Sequence, residues 1–499
     1  MAHHHAEVQE EHYIFKPETK RKLFMLLIAG VVLFALGLFM AISSEGKHEG
    51  GDHHAATNSH QLVASVAQDS VASDSVAATD HHATENPSDK SAEHSDAHAA
   101  EHAAPAHGGE HHAAGGHHDE TPTWKKRLFS TLWHNNVFFA GLGIIGLFFV
   151  AIQYAAQAGW SVGVKRVGLA LGSWIPFAGI LMLGLYFLTH HDIFHWTHSY
   201  LYGEKLADGS VNPGHDEIID GKAPFFFWPL AGGTFPLFFI VRMVVFFGGW
   251  YIFFNVIKKN MLKEDLENTT AYWFKIRGIS AWFLIFFAVS SSVAAWDWVM
   301  SIDTHWFSTM FGWYVFASWW VTGLATITLI VVLLKNAGYL KIVNSNHLHD
   351  LGKFCFAFSI FWTYIWFGQF LLIYYANIPE EVTYFMERMR NSPYSWIFYL
   401  NLIVNFVLPF LMLMTRDAKR QLSMLRVVCP IIIIGHWFDF FNMVTPGVMK
   451  ENGVLGLLEI GTALIFAATF LLVVLGALSK MPLFGKHDPM LQESINHHI

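Results

Sequence analysis

Ten apolar runs, most of about 18 residues or more, divide this chain of 499 residues, and no other feature limits its fold so tightly. Runs of that length cross a hydrocarbon layer of roughly 30 Å. Inside such a layer a backbone must bond to itself, and a single run does so as a helix. A barrel or sandwich would alternate polar and apolar residues with period two, a pattern these runs lack. The expected fold is therefore all-α and integral to a membrane, with transmembrane helices at 23–42, 137–157, 167–189, 230–257, 276–299, 307–334, 355–376, 396–414, 427–443 and 455–478. Recurrent glycines (Gly141, Gly143, Gly146, Gly168, Gly172, Gly248 and Gly249) predict close helix contacts. Pro176, Pro229, Pro236 and Pro409 predict helix starts or kinks.

The polar remainder divides the chain further. Residues 1–22 form an N-terminal segment ending in Lys16, Lys20, Arg21 and Lys22. The run at 23–42 is longer than a signal-peptide core and reads as an uncleaved anchor. Residues 43–122 are a low-complexity tether expected to be disordered, since it has almost no bulky aliphatic residue to bury. Between residues 43 and 121 lie 14 His and 14 acids against two Lys, so the acidity of the whole chain resides there. The tracts His53-His54, His81-His82, His111-His112 and His117-His118 read either as a solvated spacer or as weak Zn or Cu ligands. A nine-helix membrane domain follows at 123–480, and a tail at 481–499.

Basic residues orient the predicted spans, because short loops rich in Lys and Arg stay in the cytoplasm. The side holding both termini carries 20 Lys and Arg; the opposite side carries 10, half of them in or beside the tether. Both termini are expected in the cytoplasm and the tether on the external side.

That orientation gathers the costly polar residues at the external boundary. An ionisable group at the bilayer centre costs about 2.5 kcal/mol or more, so such groups read as functional. The chain is centred on SSSVAAWDWVMSIDTHWFSTMFGWY, from Ser290 to Tyr314, where Asp297, Asp303 and His305 sit between two spans. His190, His191, Asp192 and His195 end the third span at the same level, and Glu380 and Glu381 follow the seventh. His436 and Asp439, three apart on one helix face, lie in the external half of the ninth. A carboxylate beside an imidazole can take and pass protons near neutral pH. His191, Asp297, His305, His436 and Asp439 are the expected quinone contacts or proton acceptors. Arg242, near the middle of the predicted fourth span, and Glu459, Ser291 and Gln369 are the candidate relay groups. A buried guanidinium needs a counter-ion; Asp297 and Glu459 both qualify for Arg242. Serines, threonines and asparagines nearer mid-membrane serve a water chain or helix–helix bonding.

Cofactor chemistry within the chain finds little support. Only Cys355 and Cys429 occur, with no CxxCH for covalent haem and no spacing for an iron–sulfur cluster. His191 and His195 have a metal-compatible spacing, against the plainer reading of interfacial histidines. Haem b needs His pairs on facing helices, and His436 lacks a partner of that kind.

The phrases WDWVMSIDTHWFSTMFGWY, LGKFCFAFSIFWTYIWFGQFLLIYYANIPEE, NFVLPFLMLMTRDAKR and GHWFDFFNMVTPG resemble, in order, an NrfD-like membrane subunit (ActF type) of bacterial alternative complex III, a quinol:electron-acceptor oxidoreductase. The resemblance spans roughly residues 124–480 and leaves out the tether. It implies ten helices, eight of them in two four-helix bundles and two peripheral. It also implies a sister NrfD-like subunit, an iron–sulfur protein, c-type cytochrome subunits and, downstream, a terminal oxidase. No cofactor is expected in this subunit; haem c and iron–sulfur clusters belong to the partners, and menaquinol is the substrate. The resemblance allows two roles: a share in the quinol site, or scaffolding and proton conduction with the quinol site on the sister. A freestanding ion-coupled transporter would instead carry a central charged site and broken helices in matched positions.

Overall fold

The computed structural model describes residues 10–48, 122–206, 208–390 and 392–498. The chain divides into two compact units, 1–42 with 121–499, and 43–120. Apart from residues 43–48 the second unit, with its four histidine tracts, lies outside the described residues.

The first unit is helical. Its main elements are α1 (Pro17–His48), α2 (Thr123–Ala155), α3 (Lys165–Ile193), α4 (Leu237–Leu266), α5 (Ala271–Trp298), α6 (Phe311–Asn336) and α7 (Ser345–Ala376). After these come α8 (Pro379–Arg390), α9 (Pro393–Met412), α10 (Leu422–Met449) and α11 (Leu457–Leu478). All but α8 are long and apolar enough to cross a membrane, ten such helices among the described residues, as the sequence predicts. Among the described residues the only extended pairings are isolated bridges, His12 with Pro482 and Lys205 with Val211.

Several boundaries differ from expectation: α2 and α7 begin earlier than the predicted 137 and 355, at Thr123 and Ser345, and the fourth and sixth spans begin later. The fourth span begins at Leu237 and not at 230, because the stretch before it holds Gly232 and Gly233 and ends in Pro236, the residue that precedes the helix. The sixth begins at Phe311, since Phe307 and Ser308 are irregular and Thr309 and Met310 form a turn. Apolar composition counts Leu230 and Phe307 as span; backbone conformation excludes them. Between α7 and α9, α8 is an amphipathic helix that the sequence reading treats as loop.

Helices α2 and α6 form the centre, with 89% of their apolar windows enclosed by protein. α2 packs against α3, α5, α6, α10 and α11, and α6 against α2, α5, α7 and α10. The crossing of α2 and α3 is glycine-made: a Cβ on Gly146 of α2 would stand 2.4 Å from the carbonyl oxygen of Gly168 on α3, so a side chain there would force the helices apart. At the periphery, α1 seats Gly37 on the backbone of Leu458 in α11. Inside α9 the turns widen to a π-helix at Ile403–Val407 before Pro409, and they carry the buried Asn405 inward. The antiparallel connections bring the starts of α2, α4, α6 and α11 and the ends of α5, α7 and α10 to one end of the bundle. Every sequence-predicted site residue, Ser291 included, lies at or towards that end.

Candidate functional site

Asp297, in the last turn of α5, is wholly enclosed. Arg242 meets it through two parallel bonds, Nε to Oδ2 and Nη2 to Oδ1, both 2.7 Å. The third nitrogen, Nη1, donates to the carbonyl of Phe225 at 2.7 Å, and the guanidinium lies 4.3 and 4.4 Å from the ring centres of Phe225 and Phe238. Because α4 begins at Leu237, Arg242 stands in its second turn and not mid-span. Its counter-ion is Asp297. The other candidate, Glu459, is held by Arg127 through two bonds of 2.7 Å and caps the amide of Gly456 at 2.7 Å. Arg242 and Glu459 are thus neutralised in closed pairs near helix ends, not exposed along an inward route.

Asp439 is treated differently. It is fully buried on α10 and accepts from three neutral donors: the Tyr314 hydroxyl in a short bond, Ser318 Oγ at 3.0 Å and Trp362 Nε1 at 3.0 Å. Among the described residues no Lys or Arg pairs with it. His436, one turn earlier and also fully buried, has Nδ1 2.9 Å from Ser318 Oγ and 3.7 Å from Asp439 Oδ2. Since the Ser318 hydroxyl donates to Asp439, it accepts from His436 Nδ1–H, which assigns the lone pair to Nε2. That Nε2 is buried without a hydrogen-bond partner. On α9, Asn401 and Asn405 are likewise buried with unpaired side-chain amides, and the Asn405 oxygen lies where a Cβ on Gly435 would be. Unpaired buried polar groups are uncommon and mark places where water or a transferred proton can be taken up.

Between Asp439 and the bundle end lies a polar cavity of about 10 Å³, room for one water, lined by Tyr314, Gln369, Tyr384, Arg388 and Asn442 among others. Gln369 Nε2 donates to Ser308 Oγ at 2.9 Å. Arg388, on the inner face of α8, closes the cavity: it donates to Asp303 at 2.8 Å, to the carbonyls of Asn442 and Tyr384 at 2.8 and 2.9 Å, and lies 3.4 Å from the Tyr384 ring centre. Burial works against the charged guanidinium, but Tyr384 and Asp303 outweigh it, so the Arg388 pKa is raised. Beyond this plug opens a pocket of about 580 Å³ lined by His195, Asp303, His305, Glu380, Glu387 and Lys450 among others. Lys450 has a φ of +47°, a conformation that costs a non-glycine residue about 1–3 kcal/mol. Its ammonium is 3.3 Å from Glu387 and 3.6 Å from Asp303.

His305 Nε2 is 2.6 Å from Asp216, which also caps the helix Glu217–Gly221. Burial pushes the Asp216 carboxyl up, but the His305 bond and the amides of Ile219 and Ile218 hold it below its usual value. Nearby, His190, His191, His198 and His195 form a row with ring centres 4.1 to 5.5 Å apart. Burial, then the neighbouring His198 and His305, lowers the pKa of His195. Among the described residues His191 has only Thr197 Oγ1, 3.4 Å from Nδ1, as a hydrogen-bonding partner. Among the described residues no group of three or more His, Cys, Asp or Glu has metal-binding geometry.

The predicted polar cluster is therefore divided: the Arg242–Asp297 and Arg127–Glu459 pairs are closed, the Asp439–His436 chain is enclosed, and Asp303 is tied to Arg388. The His305–Asp216 pair and the histidine row with His191 lie at the rim, where His195 and His305 line one pocket. Ser291 is buried on α5, six residues before Asp297. Thr322, Thr326, Thr328 and Thr363 donate to the carbonyls of their own helices four residues back, and Thr328 Oγ1 also lies 3.7 Å from Cys355 Sγ, which links α6 to α7. Sequence reasoning missed Tyr314, Ser318, Trp362, Tyr384 and Arg388. The available signal was an Arg, Arg388, with a Tyr one turn before it in a segment whose apolar residues repeat with helical period. A scan of protein-family models and a search of curated proteins both find no match to this chain.

Proposed function

We propose that the chain is an NrfD-like (ActF-type) integral membrane subunit of a quinol-oxidising respiratory complex and that its own chemistry is proton transfer. The observation that carries this reading is Asp439: an enclosed carboxylate with three neutral donors, no cation, and an imidazole with an open Nε2 beside it. A carboxylate locked to a guanidinium resists protonation, whereas one held by hydroxyls and an indole can change charge with small rearrangement. A proton arriving at His436 Nε2 releases the Nδ1 proton to Ser318, whose hydroxyl proton passes to Asp439. Tyr314 and the single-water cavity then lead past Tyr384 and the fixed charge of Arg388, which stays protonated, to Asp303 and the outer pocket. The same relay runs in reverse.

In this reading both termini face the cytoplasm, residues 43–122 are periplasmic, and the membrane is a bacterial inner membrane. Helices α2–α7, α9 and α10 make two four-helix bundles, with α1 and α11 peripheral; the contact of Gly37 with α11 supports their pairing. A sister NrfD-like subunit, an iron–sulfur protein and c-type cytochromes supply the electron path to a terminal oxidase.

A second reading gives the chain a share of the quinol site. It is favoured by the 580 Å³ pocket, a volume within the ordinary range for a small-molecule site of about 300–1,000 Å³. Of the five proposed quinone contacts only His305 lines it; Asp297, His436 and Asp439 are enclosed elsewhere.

Purification from native membranes tests the reading. The chain should co-purify with haem c and iron–sulfur subunits, and D439N in that complex should lower quinol:cytochrome c turnover at least tenfold with menaquinol affinity unchanged. Isolation as a single polypeptide, or full turnover in D439N, would reject it. A raised menaquinol KM in H305A with normal turnover would instead favour the second reading.

A further inference from the structure

At the opposite end of the bundle lies a second buried cluster of charges that the proton route above does not use. Arg242 and Glu264 are 22 positions apart on α4, about 33 Å along the axis. Glu264 is completely enclosed, together with Lys165 and Arg166 of α3 and Asp488 of the C-terminal tail. Lys165 forms a short ion pair with Asp488, and its ammonium lies 4.0 Å from the ring centre of Tyr154. Arg166 Nη2 donates to both Asp265 oxygens, at 2.6 and 2.8 Å, and to the Met261 carbonyl at 3.1 Å. Each cation thus has its own carboxylate.

Glu264 is the odd group. Oε2 accepts only from the Tyr154 hydroxyl at 3.3 Å, and Oε1 is buried without a partner. Arg166 keeps Nε and Nη1 unbonded, yet makes no bond to Glu264. With two cations matched to two carboxylates, an ionised Glu264 would leave the enclosure with a net charge of −1, and an uncompensated buried charge is strongly disfavoured. The remaining charged groups that face the cluster, Glu10 and His487, act on Asp265.

We propose that Glu264 is a proton-binding site, occupied at neutral pH, whose affinity for the proton is set by Asp488 of the tail. The tail is built into this face: Leu483 N donates to the Glu11 carbonyl at 2.8 Å, Ser494 Oγ to the Trp160 carbonyl at 3.2 Å, and Asn344 and Asn346 each to the His497 carbonyl at 2.9 Å. Asp488 is thereby fixed beside Lys165, which leaves the proton as the group that neutralises Glu264. This inference rests on charge balance among these residues and does not depend on the quinol reading.

Infrared difference spectra of the intact protein in lipid, taken across a pH step, test it. A protonated-carboxyl C=O band should be present at neutral pH and absent in E264Q. D488N removes one carboxylate, so Glu264 should ionise to replace it, and its proton affinity should fall by about tenfold or more. K165Q should move the midpoint the opposite way. A purely structural Glu264 predicts no such opposed shifts. Absence of a band that E264Q removes, or midpoints that D488N and K165Q leave in place, would overturn the proposal. If D488N does not fold, the K165Q shift alone decides.

Discussion

Asp297 and Asp439 are both wholly enclosed carboxylates near the same end of the bundle, and they are held in opposite ways. Asp297 faces a guanidinium through two bonds and a third group pins that guanidinium, so the pair is closed. Asp439 accepts from a phenol, a hydroxyl and an indole, with the His436 imidazole 3.7 Å away and, among the described residues, no Lys or Arg paired with it. The difference teaches that burial alone does not mark a proton carrier. What matters is whether the neighbouring groups demand one charge state or tolerate two.

The largest expected effect breaks the closed pair. R242Q leaves Asp297 buried without a counter-charge and should destabilise the protein by about 3–5 kcal/mol. The double change R242M/D297L removes both charges together and should restore most of that loss. Denaturation in detergent or lipid measures both; equal losses in the single and double variants would show that the pair is not a unit.

A smaller effect sharpens the contrast between this interior and the rim. His195 has a lowered pKa, so the fold favours its neutral form, and that contribution is lost as pH falls below the unfolded value of about 6.5. Asp216, also lowered, contributes above the ordinary carboxylate value and loses that contribution as pH falls through its folded value. Both changes have the same sign. Hydrogen exchange in residues 195–220 should therefore rise on acidification, first below about pH 6.5 and again below about pH 4, while α10 stays protected. Uniform exchange across both regions would contradict this.

Much of this contrast was open to sequence reasoning, and the missing part has a physical reason. Ten spans followed from apolar length, and His436 and Asp439 share a face because three residues make nearly one helical turn. Helical period cannot say which other helix a face meets, so Tyr314, Ser318 and Trp362 stayed hidden although two of them lie in or next to the stretch singled out at the start. The same limit left Arg242 with two eligible partners. Arg127, 332 positions away in the chain, occupies Glu459. Arg388 and Glu264 lie where loop charges are expected, and only the packing of α8 and of the tail encloses them.

The central claim is that Asp439 moves protons and Asp297 does not. Proton movement coupled to menaquinol oxidation, followed with an entrapped pH dye in vesicles containing the assembled complex, tests it most directly. D439N should abolish the signal, while R242M/D297L, assembled to the same level, should keep it. Loss in R242M/D297L with a normal signal in D439N would contradict the account.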